Sequence, residues 1–103
     1  MGKVPILYIV ASRRNGTLYV GITSDLLARI HQHRDKILSG FTAKYDVNRL
    51  VWFEVHNEME PAIIREKRIK EWRRSWKIEL IEKGNPTWRD LAEDLGFDRL
   101  PEP

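Results

Sequence analysis

The chain has 103 residues and no cysteine, so we expect one domain without disulfide bonds, cysteine-ligated zinc or thiol catalysis. Hydrophobic residues make up 42% and charged residues 32%, which is typical of a folded and soluble protein. Residues 1–4 show no signal-peptide pattern, and no apolar run approaches a membrane span in length. The sequence therefore predicts a cytoplasmic protein with no membrane attachment.

The charge is unevenly distributed along the chain. The net charge is +3 and the isoelectric point is about 9.4. From Thr87 onward two arginines face five carboxylates, so the preceding residues carry more positive charge than the net value indicates. A basic body of this kind suits a polyanionic partner such as nucleic acid.

Two apolar runs near the N-terminus predict paired strands, at residues 7–12 and 18–22, and each contains a tyrosine, Tyr8 and Tyr19. Asn15 and Gly16 lie between the runs and favour a tight turn, because both residues tolerate positive φ. The resulting β-hairpin would bring the two phenols onto one surface.

A helix is predicted after the hairpin, from Asp25 to Leu38, ending near Gly40. Asp25 belongs to a segment with N-cap chemistry, and apolar residues recur after it at helical spacing. We interpret residues 41–48 as a loop and Leu50–Val55 as a third strand.

Three further helices are predicted in the second half of the chain. Pro61 fits the first turn of a helix that ends between Trp72 and Arg74. Ser75 is expected to cap a helix over residues 76–83, and Thr87 a short helix over residues 88–95.

The predicted order is β-β-α-β-α-α-α, which indicates an α+β fold with a three-stranded antiparallel sheet flanked by helices. We expect residues 1–95 to form the domain and residues 96–103 a C-terminal tail, frayed near its end.

Glu66 is predicted to lie on the inward face of its helix, because Ala62 and Ile69 share that face at helical spacing. A buried carboxylate is costly unless it is paired, protonated or bound to a metal. An ion pair with Arg29 or Arg65 and a role as a Mg²⁺ ligand both fit this position.

Arg29 and His33 are four residues apart and therefore lie on one helical face. They fit a phosphate-binding guanidinium with a neighbouring proton carrier, or simply an exposed polar stripe. His31 lies on another face and His56 at a strand end, so we interpret both as structural or solvent-facing.

Tyr8 and Tyr19, taken alone, fit core or cross-strand aromatic residues. A phenol has an ordinary pKa of about 10 and is a poor base at neutral pH. A nearby cation would lower that pKa, and Arg29 is the natural candidate.

A basic stretch runs from Arg65 to Lys77 and is interrupted by Trp72 and Trp76. This pattern fits a groove that follows a nucleic-acid backbone with base stacking. It also fits a solvated helix face whose tryptophans anchor the core.

These residues together resemble the GIY-YIG nuclease superfamily. The resemblance rests on six elements in order: Ile6-Leu7-Tyr8, Tyr19-Val20-Gly21, Arg29, His33, Glu66 and Asn85. It is strongest to the small stand-alone bacterial proteins of the UvrC-type endonuclease-domain group, through the segments 18–23, 41–45, 65–67 and 85–86, and covers about Pro5 to Leu91. Ile6 replaces the glycine of the first triad, and Ile22 replaces a lysine of the excision-repair nuclease domain.

The resemblance implies a metal-dependent endonuclease that hydrolyses phosphodiester bonds, in DNA rather than RNA, with low sequence specificity and a connection to DNA repair. Glu66 would bind Mg²⁺ or Mn²⁺, and Arg29 would neutralise charge on the phosphate. Tyr19 or Tyr8 would activate water, assisted by His33, and Asn85 would orient the site. The expected nucleic-acid-binding residues are Lys44, Arg65, Lys67, Arg68, Lys70, Arg73, Arg74 and Lys77.

Two alternatives remain open from the sequence. One is a non-catalytic nucleic-acid-binding module that retains the nuclease fold, and the other is a protein-interaction adaptor with an exposed tryptophan surface. For a nuclease this small, we expect a partner protein or a homodimer to supply substrate targeting.

Overall fold

The computed structural model describes residues 4–35 and 44–101. Within these ranges the chain forms three strands, three α-helices and a terminal 3₁₀ helix. In chain order they are β1 (Ile6–Ala11), β2 (Leu18–Thr23), α1 (Leu26–Arg34), β3 (Arg49–Val55), α2 (Met59–Glu71), α3 (Arg74–Gly84) and the 3₁₀ helix (Leu91–Leu95).

The strands form one antiparallel sheet in the order β2-β1-β3. Strand β1 is central, which explains its apolar sequence: Leu7 to Ala11 are fully buried. Tyr8 pairs with Gly21 of β2 and with Phe53 of β3, and the β1–β3 register shifts between Ile9 and Val10. The predicted α+β architecture with a three-stranded antiparallel sheet is confirmed.

The sheet lies between two helical layers. Because side chains alternate along each strand, Leu7 and Ile9 pack on one face in a cluster with Ile69 of α2 and Ile81 of α3. On the other face, Tyr8 and Val10 pack in a cluster with residues of α1 and of the 3₁₀ helix. The edge strand β2 is therefore flanked by α1 on one side and α2 on the other.

The β1–β2 connection is longer than the predicted tight turn. Ser12 N–H donates to Thr17 O at 3.0 Å, and Gly16 N–H donates to Arg13 O at 2.9 Å. Of the Asn15-Gly16 pair, Asn15 alone adopts positive φ, at 58°. Gly16 is required for another reason, since a Cβ there would lie 2.3 Å from Ser12 Oγ.

Helix α1 begins as predicted. The Asp25 side chain accepts a hydrogen bond from Ala28 N–H at 3.1 Å and caps the helix. The predicted extension to Leu38 and the end near Gly40 lie outside the described residues. Helix α2 begins at Met59, two residues before Pro61, and the proline lies in the first turn, where its missing N–H has no cost.

Two predicted caps were wrong. Ser75 is the second residue of α3, whose N-cap position is Arg73. Thr87 does not start a helix, because Trp88 adopts φ 58° and turns its buried ring so that Nε1–H donates to Glu82 Oε2 at 2.7 Å. The last helical segment begins one turn later, where the Asp90 side chain accepts from Ala92 N–H.

The domain boundary predicted at residue 95 stays a prediction. Beyond it, Phe97 still packs against the cluster that contains Tyr8, and Arg34 of α1 donates to Asp98 O at 3.1 Å. Among the described residues, no helix has the length and apolar character needed to cross a membrane.

Candidate active site

Tyr8 lies at the centre of the candidate site, and Gly21 makes room for it. The two residues face each other across β1 and β2, and the Tyr8 side chain is completely buried. A Cβ on Gly21 would lie 2.5 Å from both Cζ and Oη of Tyr8. The glycine of the Tyr19-Val20-Gly21 triad is therefore required by the close approach of the Tyr8 ring to the backbone of β2.

Helix α1 brings His33 to the Tyr8 hydroxyl. Tyr8 Oη and His33 Nε2 are hydrogen-bonded at 3.0 Å, and both groups are buried. The rings meet edge to face, with centroids 5.6 Å apart. The other ring nitrogen, Nδ1, is buried and has no hydrogen-bond partner among the residues that the structure describes. A wholly buried tyrosine–histidine pair is thus built into the α1 face of the sheet.

Both members of this pair are uncharged at neutral pH. Burial raises the pKa of Tyr8 to about 12, although the positive charge of Arg29 opposes that rise. Burial also lowers the pKa of His33 to about 4, and Arg29 lowers it further. Since Arg29 acts on both groups, its guanidinium lies beside the pair, as the spacing of residues 29 and 33 on one helix predicts.

Tyr19 completes an aromatic group with this pair. It lies two residues before Gly21 on β2, and so on the same face as Tyr8. Its ring centroid is 6.4 Å from that of Tyr8 and 5.8 Å from that of His33. In contrast to Tyr8, Tyr19 is only partly buried, so solvent reaches this phenol.

Helix α2 contributes Glu66 and Lys70 to the same region. Glu66 is 8% exposed, and its Oε2 pairs with Lys70 Nζ at 3.0 Å. Lys70 Nζ also lies 5.9 Å from the centroid of the Tyr19 ring. The negative charge of Glu66 contributes to the raised pKa of Tyr8, which places the carboxylate near the aromatic group.

Sequence reasoning missed the role of Lys70. The two partners considered for Glu66 were Arg29 and Arg65, but Arg65 pairs with Glu54 of β3, at 2.6 Å and 3.2 Å. The signal was available, because Glu66 and Lys70 have the i, i+4 spacing of a helical ion pair.

Comparison with known proteins identifies this arrangement. A sequence model described as the GIY-YIG catalytic domain matches residues 4–79, which include both tyrosines, Arg29, His33 and Glu66. The chain belongs to the GIY-YIG family. Membership indicates an endonuclease-type function on a nucleic-acid substrate.

Two curated relatives match over most of both chains. They are UPF0213 proteins from two strains of Staphylococcus epidermidis, each 34% identical over 82 residues that cover 76% of this chain and 94% of the relative. The solution NMR structure of the UPF0213 protein from Bacillus halodurans superposes with a TM-score of 0.55 at 23% identity, covering 87% of this chain and 95% of that one. The latter likeness concerns the fold.

Asn85, the late asparagine of the GIY-YIG resemblance, is engaged with the backbone. Its Nδ2 donates to Val51 O at 3.1 Å and to Arg89 O at 2.8 Å, while Oδ1 accepts from Arg89 N–H at 3.0 Å. The side chain is nearly buried and joins β3 to the segment that follows α3. Asn85 therefore fixes the scaffold, and its contacts do not reach the aromatic group.

The basic residues predicted to bind nucleic acid divide into two groups. Four donate hydrogen bonds or form ion pairs within the protein: Arg65 and Lys70 in the ion pairs above, Arg74 with Asn15 O and Gly16 O, and Lys77 with Lys70 O at 3.1 Å. Lys44, Lys67 and Arg68 are exposed, and Arg73 lies over the Trp76 ring at 4.9 Å. The second group is the one with side chains available to a phosphate backbone.

The GIY-YIG resemblance implies a divalent metal, and the residues present are compatible with one. No group of three or more histidine or acidic side chains gathers at a potential metal site among the described residues. Glu66 is a single, almost buried carboxylate next to the phenols. Mg²⁺ commonly accepts one carboxylate when waters and substrate phosphates supply its other ligands.

Proposed function

We propose that the protein is a Mg²⁺- or Mn²⁺-dependent endonuclease that cuts nucleic acid, DNA in preference to RNA, with low sequence specificity. The observation that carries this proposal is the convergence of Tyr8, Tyr19, His33, Arg29 and Glu66 around the edge strand β2. They come from both strands of the hairpin, from α1 and from α2. A purely structural role does not require phenols, a guanidinium and a buried carboxylate to meet at one place.

Tyr19 is the proton acceptor in this proposal. Tyr8 is buried and hydrogen-bonded to His33, and its pKa of about 12 keeps its hydroxyl protonated at neutral pH. Tyr19 is reached by solvent and has the Lys70 ammonium over its ring. An attacking water can therefore reach Tyr19, while Tyr8 and His33 form the neutral wall that fixes its position.

Positive charge at the reacting phosphate comes from two helices. Arg29 on α1 can bind phosphoryl oxygens and stabilise the charge that develops on them. Lys70 on α2 supplies a second cation beside Tyr19, on the strand where Ile22 replaces the lysine of the excision-repair domain. Ile22 itself packs against the apolar cluster on the α2 face. Lys70 thus compensates from a neighbouring element for the charge that β2 lacks.

Glu66 would hold the metal ion, and the bound ion would polarise the phosphate and stabilise the leaving oxygen. The exposed cations Lys44, Lys67, Arg68 and Arg73 would contact the phosphate backbone. Backbone contacts position a nucleic acid without reading its sequence, so we expect weak sequence specificity. Cytoplasmic location, a connection to repair, and targeting by a partner protein or a second copy of the chain remain predictions.

A cleavage panel tests this proposal. Single-stranded, double-stranded and branched DNA and RNA are incubated with Mg²⁺, Mn²⁺ or EDTA and with wild type, Glu66→Gln or Glu71→Gln. Glu71 lies on the same helix but is exposed, so its variant controls for charge and for contaminating nucleases. We expect metal-dependent cleavage by wild type and Glu71→Gln. The cleavage rate of Glu66→Gln should be lower by about a hundred-fold or more. Equal cleavage by all three proteins would contradict the assignment of Glu66.

A non-catalytic nucleic-acid-binding module is the second candidate. The observation that favours it is the Glu66–Lys70 ion pair, in which a protein cation already occupies the carboxylate that would bind the metal. This candidate predicts salt-dependent binding by wild type in the same panel, with no products under any metal.

A further inference from the structure

Trp76 differs from the other three tryptophans of the chain. Trp88 is buried, Trp52 and Trp72 are partly buried in the core, and Trp76 is 48% exposed at the start of α3. Of the two tryptophans in the basic stretch, Trp72 fits the predicted role as a core anchor and Trp76 does not. The exposed indole of Trp76 presents a flat aromatic face on which a ligand can stack.

The surroundings of Trp76 form a small aromatic and basic groove, which we call the tryptophan groove. It has a volume of about 340 Å³ and is lined by Trp72, Trp76, Glu79, Leu80 and Lys83. Trp72 and Trp76 meet edge to face, with centroids 6.3 Å apart, so Trp72 supports the exposed ring. The Arg73 guanidinium lies 4.9 Å from the Trp76 centroid.

This groove lies close to the candidate active site. Glu66 and Lys70 lie on α2, and Trp72 is the C-cap residue of that helix. Trp72 is therefore about 9 Å from Glu66 along the helix axis. Lys77 of α3 donates to Lys70 O, which holds the first turns of α3 against the end of α2. A strand whose phosphate is bound at Arg29 can therefore extend its neighbouring nucleotides along α2 towards Trp76.

The charges around the groove favour a nucleic acid over an apolar protein segment. Arg73 and Lys83 border it, opposed by Glu79, and the exposed Lys67 and Arg68 lie on the preceding helix. An aromatic face beside a guanidinium matches a nucleotide, since the base stacks on the ring and the cation contacts the phosphate. A base that is paired in a duplex is already stacked on its neighbours and cannot enter.

We propose that Trp76 and Arg73 form a stacking subsite for an unpaired base, and that the preferred ligand is single-stranded DNA or a single-stranded segment beside the cleavage point. This inference rests on the proposed nuclease function for the nature of the polymer, but it concerns binding and not catalysis. It adds a preference for unpaired strands to the proposed function.

The test measures binding without cleavage. Fluorescence anisotropy in EDTA compares a labelled single-stranded oligothymidylate with a duplex of equal length, for wild type, Trp76→Ala and Trp76→Tyr. One stacked base is worth about 1–3 kcal/mol, so Trp76→Ala should weaken single-strand binding by about five-fold to 150-fold. Duplex binding should change little, and Trp76→Tyr should retain most of the single-strand affinity. Ile64→Ala, which removes an equally exposed apolar side chain from α2, should have no effect.

Several outcomes would overturn the subsite. They are unchanged single-strand binding by Trp76→Ala, an equal loss for duplex and single strand, the same loss with Ile64→Ala, or no single-strand binding by wild type. If Trp76→Ala does not fold, Trp76→Leu replaces it, because leucine keeps apolar packing on Trp72 without an aromatic face. If Trp76→Leu then bound the single strand as tightly as Trp76→Tyr does, that result would contradict stacking.

Failure of this inference is distinguishable from failure of the nuclease proposal. Cleavage that depends on Glu66 together with normal binding by Trp76→Ala would refute only the subsite. A Trp76-dependent single-strand preference without cleavage would refute only the nuclease.

Discussion

At the residue scale, the buried pair of Tyr8 and His33 distinguishes the roles of the two family tyrosines. The pair is neutral because burial disfavours the charged form of each group, and Arg29 adds to that effect on His33. Tyr19 lies outside the pair and is reached by solvent. Two phenols that are equivalent in the sequence pattern therefore differ in burial and in solvent access.

The close approach of Tyr8 to β2 makes Gly21→Ala a sharp structural prediction. The added Cβ would lie 2.5 Å from Cζ and Oη of a buried ring, so the ring or the strand must shift. We expect a loss of about 1–3 kcal/mol in the free energy of unfolding, measured by urea denaturation. Gly84→Ala is the matched control, since its Cβ meets nothing within 4 Å at the end of α3. Equal effects of the two substitutions would show that Tyr8 is not held against β2.

His33 predicts a specific dependence of stability on pH. Unfolded His33 takes up a proton below about pH 6.5, whereas folded His33 does so only below about pH 4. Between these values the unfolded state binds more protons, so stability falls as the pH falls. The loss from about pH 7 to about pH 5 should be on the order of 2 kcal/mol.

The variant His33→Phe lacks this group and should show a correspondingly shallower dependence in urea denaturation over the same range. It should also be less stable than wild type at neutral pH, because it leaves the Tyr8 hydroxyl buried without its partner. Parallel pH profiles for the two proteins would contradict the depressed pKa of His33.

Sequence reasoning predicted that several of these side chains would lie together, but it predicted neither their contacts nor the part of Lys70. Glu66 was predicted to be inward-facing from Ala62 and Ile69, and it is. Its partner, Lys70, was one of several basic side chains that could pair with it. The sequence alone does not choose among them, because spacing along the chain does not give distances between helices and strands. The buried state of Tyr8 likewise depends on Gly21 in a different strand, which only the register of the hairpin reveals.

At the element scale, β2 lies at the edge of the sheet, and side chains from both helical layers can therefore meet there in one site. Helix α1 covers one face of the sheet and α2 the other, and both reach β2 because no further strand lies beside it in the described sheet. Arg29 and His33 thus come from one layer, and Glu66 and Lys70 from the other.

Asp90 is the main polar link between elements away from the site. Its Oδ1 accepts from Leu50 N–H of β3 and from Ala92 N–H of the 3₁₀ helix, both at 3.1 Å, and its Oδ2 pairs with Arg34 of α1. Because the carboxylate is buried, Asp90→Ala should cost about 3–5 kcal/mol in the free energy of unfolding, since it leaves the Arg34 charge and the N–H groups of Leu50 and Ala92 without their acceptor.

Asp94→Ala is the control for this substitution. Asp94 forms an exposed ion pair with Arg89, and because solvent screens that pair we expect little change in stability. Chemical denaturation measures both variants, and a small effect of Asp90→Ala would show that the link is unimportant.

Strands and helices were predictable from the sequence, but caps in the C-terminal third were not. Apolar runs located all three strands to within one residue at each end, because β-branched and aromatic residues concentrate there. Ser75 and Thr87 have the chemistry of N-caps, yet tertiary contacts decided otherwise. The burial of Trp88 and of Asp90 sets where the last segment turns, and both depend on residues distant in sequence.

At the scale of the whole molecule, the candidate active site and the exposed basic side chains lie on neighbouring surfaces. The aromatic group lies at β2, the exposed Lys67 and Arg68 lie on α2, and the tryptophan groove lies where α2 meets α3. The basic character seen in the composition is therefore partly used inside the protein, in the pairs of Arg65 and Lys70, and partly left for a polyanionic substrate. The central claim is that this assembly hydrolyses phosphodiester bonds with Tyr19 as the proton acceptor.

The single-turnover cleavage rate of Tyr19→Phe, measured with Mg²⁺ on the best substrate of the panel, tests that claim most directly. Tyr19→Phe removes one hydroxyl from a partly exposed ring, and Tyr45→Phe makes the same change on an exposed ring outside the aromatic group. We expect Tyr19→Phe to lower the rate by about 10²–10⁴-fold, as for loss of a general base, with substrate binding and thermal stability unchanged and Tyr45→Phe at the wild-type rate. Cleavage by Tyr19→Phe at the wild-type rate would contradict the account.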